Sequence, residues 1–183
     1  MDIFLVRHGE AAAAWGQDPD PGLSDLGKQQ ATAATEQLLP KLGDVVQVIS
    51  SPLLRAQETA QPLIEAREGE LVIDSAFQEI PAPVPLAERQ AWLRGFMKQR
   101  WSEQPEGLLR WRANALAQLQ QLATPTVVFS HFLVLNAIVG AIDAQAETLV
   151  FWPDNASITH LKLAGNGELS LVALGAQMDT VVN

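Results

Sequence analysis

Arg7 and His8 stand together after four apolar residues, Ile3-Phe4-Leu5-Val6, and are followed by Gly9 and Glu10. Two further stretches end in a similar way. Val45–Ile49 runs into Ser50-Ser51-Pro52-Leu53-Leu54-Arg55, and Thr126–Phe129 runs into Ser130-His131. Each apolar run is short, partly β-branched or aromatic, and suits a strand buried on both faces of a parallel sheet. Open α/β sheets bind ligands at the carboxyl ends of their strands. Three such strands would deliver Arg7, His8, Arg55 and His131 to one edge of one sheet. Two guanidiniums and two imidazoles, without partners nearby in sequence, make a site for a dianion such as a phosphate.

The elements between these strands follow from periodicity and punctuation. Residues 11–22 (AAAAWGQDPDPG) carry turn chemistry and read as a loop over the site, with Trp15 packing there. Asp18 and Asp20 lack the third ligand a metal needs. Ser24 is placed to cap a helix that runs to about Leu39 and stops at Pro40, with Leu26, Ala33, Ala34 and Leu38 facing inward. Ser51 is expected to cap a second helix, with Pro52 at its first position and Glu58 paired to Arg55 one turn on. Leu71–Ile73 is a short edge strand, and residues 77–86 are proline-rich and irregular. Two apolar stripes follow, Leu86-Leu93-Phe96-Met97-Trp101 and Leu108-Trp111-Ala115-Leu119-Leu122, and predict two helices. Three of the five tryptophans lie in this region, a core stripe rather than a cofactor box. His131 opens a helix to about Ile142. Glu147–Trp152, Ser157–Leu163 and Glu168–Ala173 are expected as closing strands, the last two joined by a hairpin turn at Asn166-Gly167. His160 alternates within a strand and is expected to be half-buried or at the surface.

Composition narrows the function. The chain has 183 residues, enough for one well-cored domain, with 48% hydrophobic residues and a mean hydropathy of +0.07. Its net charge of -9, with no basic run, argues against nucleic acid and anionic membranes as partners. Any cationic site must therefore be local. With no cysteine there are no disulfides and no thiolate metal sites, and the three histidines lack ligand spacing, so no metal or cofactor is expected. The start runs straight into a strand without a signal-peptide pattern, and no apolar run approaches membrane-spanning length, so a cytoplasmic protein is expected. A Gly-x-Ser-x-Gly elbow and a P-loop are both absent.

The ordered blocks Arg7-His8-Gly9-Glu10, Leu23–Ala31, Ser51–Ala60 and Ser130-His131 resemble the histidine phosphatase superfamily, the phosphoglycerate-mutase-like family. The resemblance spans residues 3 to about 140. It implies an α/β fold, a three-layer α/β/α sandwich with a mostly parallel central sheet, as one domain over 1–183 with a small helical insertion at about 80–122. It also implies a metal-independent phosphomonoester hydrolase acting on a small phosphorylated substrate or a phosphoprotein. By resemblance, the histidine of the Arg-His-Gly motif, His8, is the nucleophile that forms a phosphohistidine, and Arg7, Arg55 and His131 hold the phosphoryl oxygens. The cations around His8 disfavour a second charge on its ring, so it is expected to be neutral. The family's acid is matched by Glu79, although Ile80-Pro81 departs from what usually follows it. Glu10, beside the nucleophile, is expected to be structural. Phe132 stands where the family usually has glycine and bears on pocket size. Asp154-Asn155-Ala156-Ser157 resembles phosphatase branches and places Asn155 at the pocket. Two alternatives remain. A phosphoglycerate-type mutase would carry Trp-Asn where this chain has Ala13 and Ala14, and a degenerate phosphate-binding protein would explain Phe132 and the context of Glu79.

Overall fold

Ile3, Phe4, Leu5 and Val6 are all buried because β1 (Asp2–Arg7) lies inside a sheet. The computed structural model describes residues 1–13 and 18–178. β1 runs parallel to β4 (Thr126–Ser130) on one side and antiparallel to β5 (Ile158–Leu163) on the other. β4 is in turn parallel to β2 (Gln47–Ser50), and β2 to β3 (Leu71–Ile73), while β6 (Leu169–Ala173) closes the far edge antiparallel to β5. The order is β3-β2-β4-β1-β5-β6. β1, β2 and β4 are therefore adjacent and parallel, so their carboxyl ends share one edge: Arg7 ends β1, His131 follows β4, and Arg55 lies in the first turn of the helix that follows β2.

Alternate strand residues cover two faces. Ile3, Leu5, Ile49, Val128 and Leu161 pack under α4 (Glu106–Gln120) and α5 (Phe132–Ile142). Phe4, Val6, Val48, Val127 and Phe129 pack under α1 (Asp25–Leu38) and α2 (Leu54–Arg67). Helices on both faces of a mostly parallel sheet give the three-layer α/β arrangement. Between β3 and β4, α3 (Arg89–Phe96) and α4 bury Leu93, Phe96, Trp101 and Leu108 against Phe132, Leu133 and Ala137 of α5. The tryptophan stripe is core: Trp101 is buried and stacks near Trp111, and Trp92 stacks on Phe96. The Asn166-Gly167 turn closes the β5–β6 hairpin, with Gly167 at φ 84°. His160 is half-buried, stacked on Phe4 and bonded to Asp2 at 2.8 Å. Among the described residues no helix is long and apolar enough to cross a membrane.

Several local expectations are corrected. Glu147–Trp152 is not a strand: the N–H groups of Val150 and Phe151 donate to Asn136 Oδ1, and that of Thr148 donates to Gln99 O. Those donors are occupied by α5 and by the α3–α4 connection, so no strand neighbour can take them. In α1 the buried stripe is Gly27, Ala31, Ala34, Thr35 and Leu38; Leu26 and Ala33 face solvent. Gly27 must face the strand-end loop, which rotates Leu26 outward. Pro40 lies inside a 3-10 turn, Leu39–Lys41, that continues α1. Ser51 does not cap α2, which starts at Leu54; Asp20 accepts that residue's N–H at 2.8 Å instead.

Candidate active site

Three strand ends build the site because each is held by its neighbour's backbone. His8 N–H donates to Ser130 O at 2.9 Å, Arg7 N–H to Ser157 O at 3.1 Å, and Ser51 N–H to Phe129 O at 3.0 Å. The chain then passes through Gly9 in close contact with α1. A Cβ at Gly9 would lie 2.6 Å from Gly27 O, and one at Gly27 would strike Glu10 O. Gly9 N–H donates to Thr59 Oγ1 at 3.0 Å, and that hydroxyl donates to Arg55 O at 2.6 Å, tying the loop to α2. Glu10 is structural: Oε1 accepts from Ser24 Oγ, whose oxygen caps α1 at Gly27 N–H. Glu58 is not paired with Arg55. It accepts Leu23 N–H at 2.6 Å and anchors the loop before α1.

Arg7, His8, Arg55 and His131 meet and are all buried. His8 Nδ1 lies 2.7 Å from Gly9 O, a group that can only accept, so Nδ1 carries the ring proton. Nε2 is left as a bare lone pair, which receives Arg55 Nε–H at 3.1 Å. Burial first, then Arg55 and Arg7, push the His8 pKa well below the usual imidazole range, against a smaller opposing effect of Gly9 O. The ring is neutral at pH 7. The His131 ring lies 5.2 Å from it, centre to centre, and its pKa too is held low, by burial and then by His8, Arg55, Arg89 and Arg7. Burial lowers the Arg7 pKa to about 10, against Glu79 and Asp154, so the guanidinium stays charged. Its Nη1 donates to Pro153 O at 2.8 Å and its plane sits 5.2 Å from the Phe132 ring centre. Arg7 Nε and His131 Nδ1 are buried without a hydrogen-bond partner among the described residues. Buried orphans of this kind call for an explanation, and a bound anion is one.

Glu79 reaches the same cluster from the irregular segment after β3. Ser130 Oγ donates to Phe77 O at 2.7 Å and pins that segment to the end of β4. The Glu79 carboxyl accepts Ile80 N–H at 3.0 Å and Leu133 N–H, in the first turn of α5, at 3.4 Å. Burial raises its pKa, and these hydrogen bonds together with Arg55 and Arg89 oppose the rise. A cavity of about 380 Å³ opens beside it, with Ile80, Pro81, Trp111 and Arg89 among its walls.

Phe132 does not occupy that cavity. It is buried between the Arg7 guanidinium and Trp152, whose ring centre is 5.5 Å away. Asn155 sits in the turn before β5, its N–H held by Asp154 Oδ1 at 2.7 Å, and lies outside the residues lining the cavities beside Glu79 and Phe132. The same turn braces His8, whose carbonyl accepts Ala156 N–H at 3.2 Å. Trp15 and Ala14 lie outside the described residues; Ala13 lines a narrow recess beside Arg55 and Glu79. Arg89 was not foreseen. It heads α3, lines both cavities that Glu79 lines, and makes no ion pair with a carboxylate among the described residues. Its one sequence signal is an arginine three positions past the proline-rich stretch. No group of three or more His, Asp or Glu ligands gathers among the described residues.

A family model described as histidine phosphatase superfamily (branch 1) matches residues 3–176. The mitochondrial serine/threonine-protein phosphatase Pgam5 of Drosophila yakuba is 29% identical over 180 residues, 94% of this chain and 62% of that protein. The Drosophila grimshawi protein of the same name is 30% identical over the same shares. The chain thus spans less than two thirds of the length of these curated relatives. Among solved structures, a mycobacterial glucosyl-3-phosphoglycerate phosphatase in complex with VO3 superposes with a TM-score of 0.76 at 22% identity, over 96% of this chain and 99% of that one. The phosphoserine phosphatase of Entamoeba histolytica, in complex with 3-phosphoglyceric acid, gives 0.74 at 21% identity over 97% and 98%. Both share the fold.

Proposed function

The chain belongs to the histidine phosphatase superfamily, and from that premise we propose that it hydrolyses phosphomonoesters through a phosphohistidine at His8. The observation that carries this reading is the state of His8: neutral, with its proton committed to Gly9 O and its Nε2 lone pair facing a guanidinium. Nε2 attacks phosphorus, the bond to the ester oxygen breaks, and the phosphoryl group passes to the ring. Arg7 and Arg55 meet the equatorial oxygens, and the orphaned Arg7 Nε and His131 Nδ1 gain partners. The leaving oxygen takes a proton from Glu79, whose raised pKa suits it to be an acid. The Glu79 carboxylate then receives a proton from the water that cleaves the P–N bond, which regenerates His8 and releases phosphate.

The substrate we favour is a small phosphorylated molecule, because a cavity of about 380 Å³ adjoins Glu79 and is lined by the Arg89 guanidinium, which donates to Ile80 O at 3.5 Å and has no carboxylate partner among the described residues. A phosphoprotein is the second reading, favoured by the likeness to proteins named serine/threonine-protein phosphatases. Hydrolysis rather than mutase transfer is supported by Ala13, whose side chain offers no hydrogen bond beside Arg55.

The test is turnover of p-nitrophenyl phosphate in the presence of a chelator, with acid-labile labelling from a ³²P-phosphomonoester. His8→Ala should remove both turnover and label. Labelling that survives in that variant would overturn the assignment.

A further inference from the structure

Ser51 is fully buried in the turn between β2 and α2, and its hydroxyl touches two groups. Leu53 N–H donates to Ser51 Oγ at 3.2 Å, which uses one lone pair. The other contact is His131 Nε2, at 2.7 Å. Two proton arrangements fit these distances. In one, Nε2 carries the ring proton and Ser51 accepts twice. The hydroxyl hydrogen is then buried with no acceptor among the described residues, and Nδ1 is a buried bare lone pair. In the other, Ser51 donates to Nε2. The hydroxyl is then fully used, and a neutral ring must carry its proton on Nδ1. Each unpaired buried polar group costs roughly 1–3 kcal/mol. The first arrangement leaves two among the described residues, the hydroxyl hydrogen and the Nδ1 lone pair, and the second leaves one, the Nδ1–H, so the second prevails.

We infer that Ser51 is a positioning residue that holds His131 as the Nδ1–H tautomer, turning its orphaned nitrogen into a donor for a phosphoryl oxygen. The role of that donor rests on the hydrolase reading above; the tautomer itself does not. The two imidazoles then carry their protons on the same ring nitrogen but present opposite chemistry. Gly9 O covers the Nδ1 proton of His8 and leaves its Nε2 as a nucleophile. Ser51 covers Nε2 of His131 and leaves its Nδ1–H as a hydrogen-bond donor. Burial keeps both rings neutral, so the choice of tautomer, and not a charge, separates their tasks.

The experiment is long-range ¹H–¹⁵N correlation of the histidine rings in the full chain, with and without inorganic phosphate, alongside steady-state kinetics. In the parent protein His131 should show a protonated Nδ1 and an unprotonated Nε2, and phosphate should shift the Nδ1 signal. Ser51→Ala should move the ring toward Nε2–H, lower kcat/KM roughly 10-fold or more, and weaken inhibition by phosphate. Ser51→Thr, which keeps the hydroxyl, should restore tautomer and rate. A parent spectrum with Nε2–H overturns the inference, as does Ser51→Ala with tautomer and turnover unchanged. If Ser51→Ala does not fold, the parent spectrum and Ser51→Thr decide. An inactive parent protein with Nδ1–H would count against the hydrolase reading alone.

Discussion

In the proposed reaction His8 attacks only while its ring is neutral, and Glu79 protonates the leaving group only while it holds its proton. Burial favours both states, since it lowers the pKa of the one and raises that of the other. In the proposed reaction the acid limb of the pH–rate profile therefore falls well below 6.5, and the alkaline limb above the usual carboxylate range. Activity on an alkyl phosphate should be greatest on the acid side of neutrality. Glu79→Gln should depress that rate and abolish the alkaline limb, while sparing aryl phosphates whose leaving groups need little protonation; an unchanged alkaline limb would remove Glu79 as the acid. Arg89 makes a different demand. A guanidinium beside the proposed acid, without a carboxylate partner among the described residues, favours leaving groups that carry a negative charge. Arg89→Met should lower kcat/KM on a carboxylate-bearing phosphomonoester about tenfold more than on a neutral one, and that excess should shrink with added salt.

The elements hold these residues through contacts that leave no room for a side chain. Gly27 lies in the first turn of α1, where helix propensity alone would favour alanine by about 1 kcal/mol. The structure predicts the opposite sign. A Cβ there meets Glu10 O, a backbone atom that cannot swing aside. Gly27→Ala should therefore destabilise the protein by roughly 1–3 kcal/mol in urea unfolding. It should also slow turnover, because α1 buttresses the loop that carries His8. A stabilised variant would show that the contact relaxes freely.

Across the whole molecule, burying three titratable groups at one sheet edge links stability to pH. The folded-state pKa values of His8 and His131 are depressed, so below 6.5 the unfolded chain binds protons that the folded chain refuses. Their contribution is fully present above 6.5 and is lost as pH falls. Glu79 acts in the other direction. Its folded pKa is raised, so from 4.5 upward the unfolded chain releases a proton that the folded chain keeps, and stability is lost as pH rises. Two imidazoles outweigh one carboxyl between pH 5 and 6.5. The thermal midpoint should fall on acidification through that window. His131→Ala should flatten the dependence and Glu79→Gln should steepen it; parallel curves for all three proteins would refute the linkage.

Much of this was legible in the chain itself. Burial on both faces is written into Ile3–Val6 and Thr126–Ser130, because a central parallel strand needs apolar residues without alternation, and the residue after each run then emerges at one edge. That logic brings Arg7, His8 and His131 together, with Arg55 one helical turn beyond the second run. The order of the motif blocks added the family. What the sequence could not determine were interactions between groups far apart in the chain. Asn136 claims the N–H groups of Val150 and Phe151, so a segment with strand composition never pairs. Asp20 caps α2 from across a loop, which leaves Ser51 free to meet His131 eighty positions away. Arg89 becomes part of the site only because α3 folds back over Glu79. Local periodicity reports which face of an element is buried; which partner satisfies each buried donor is decided only when the elements pack.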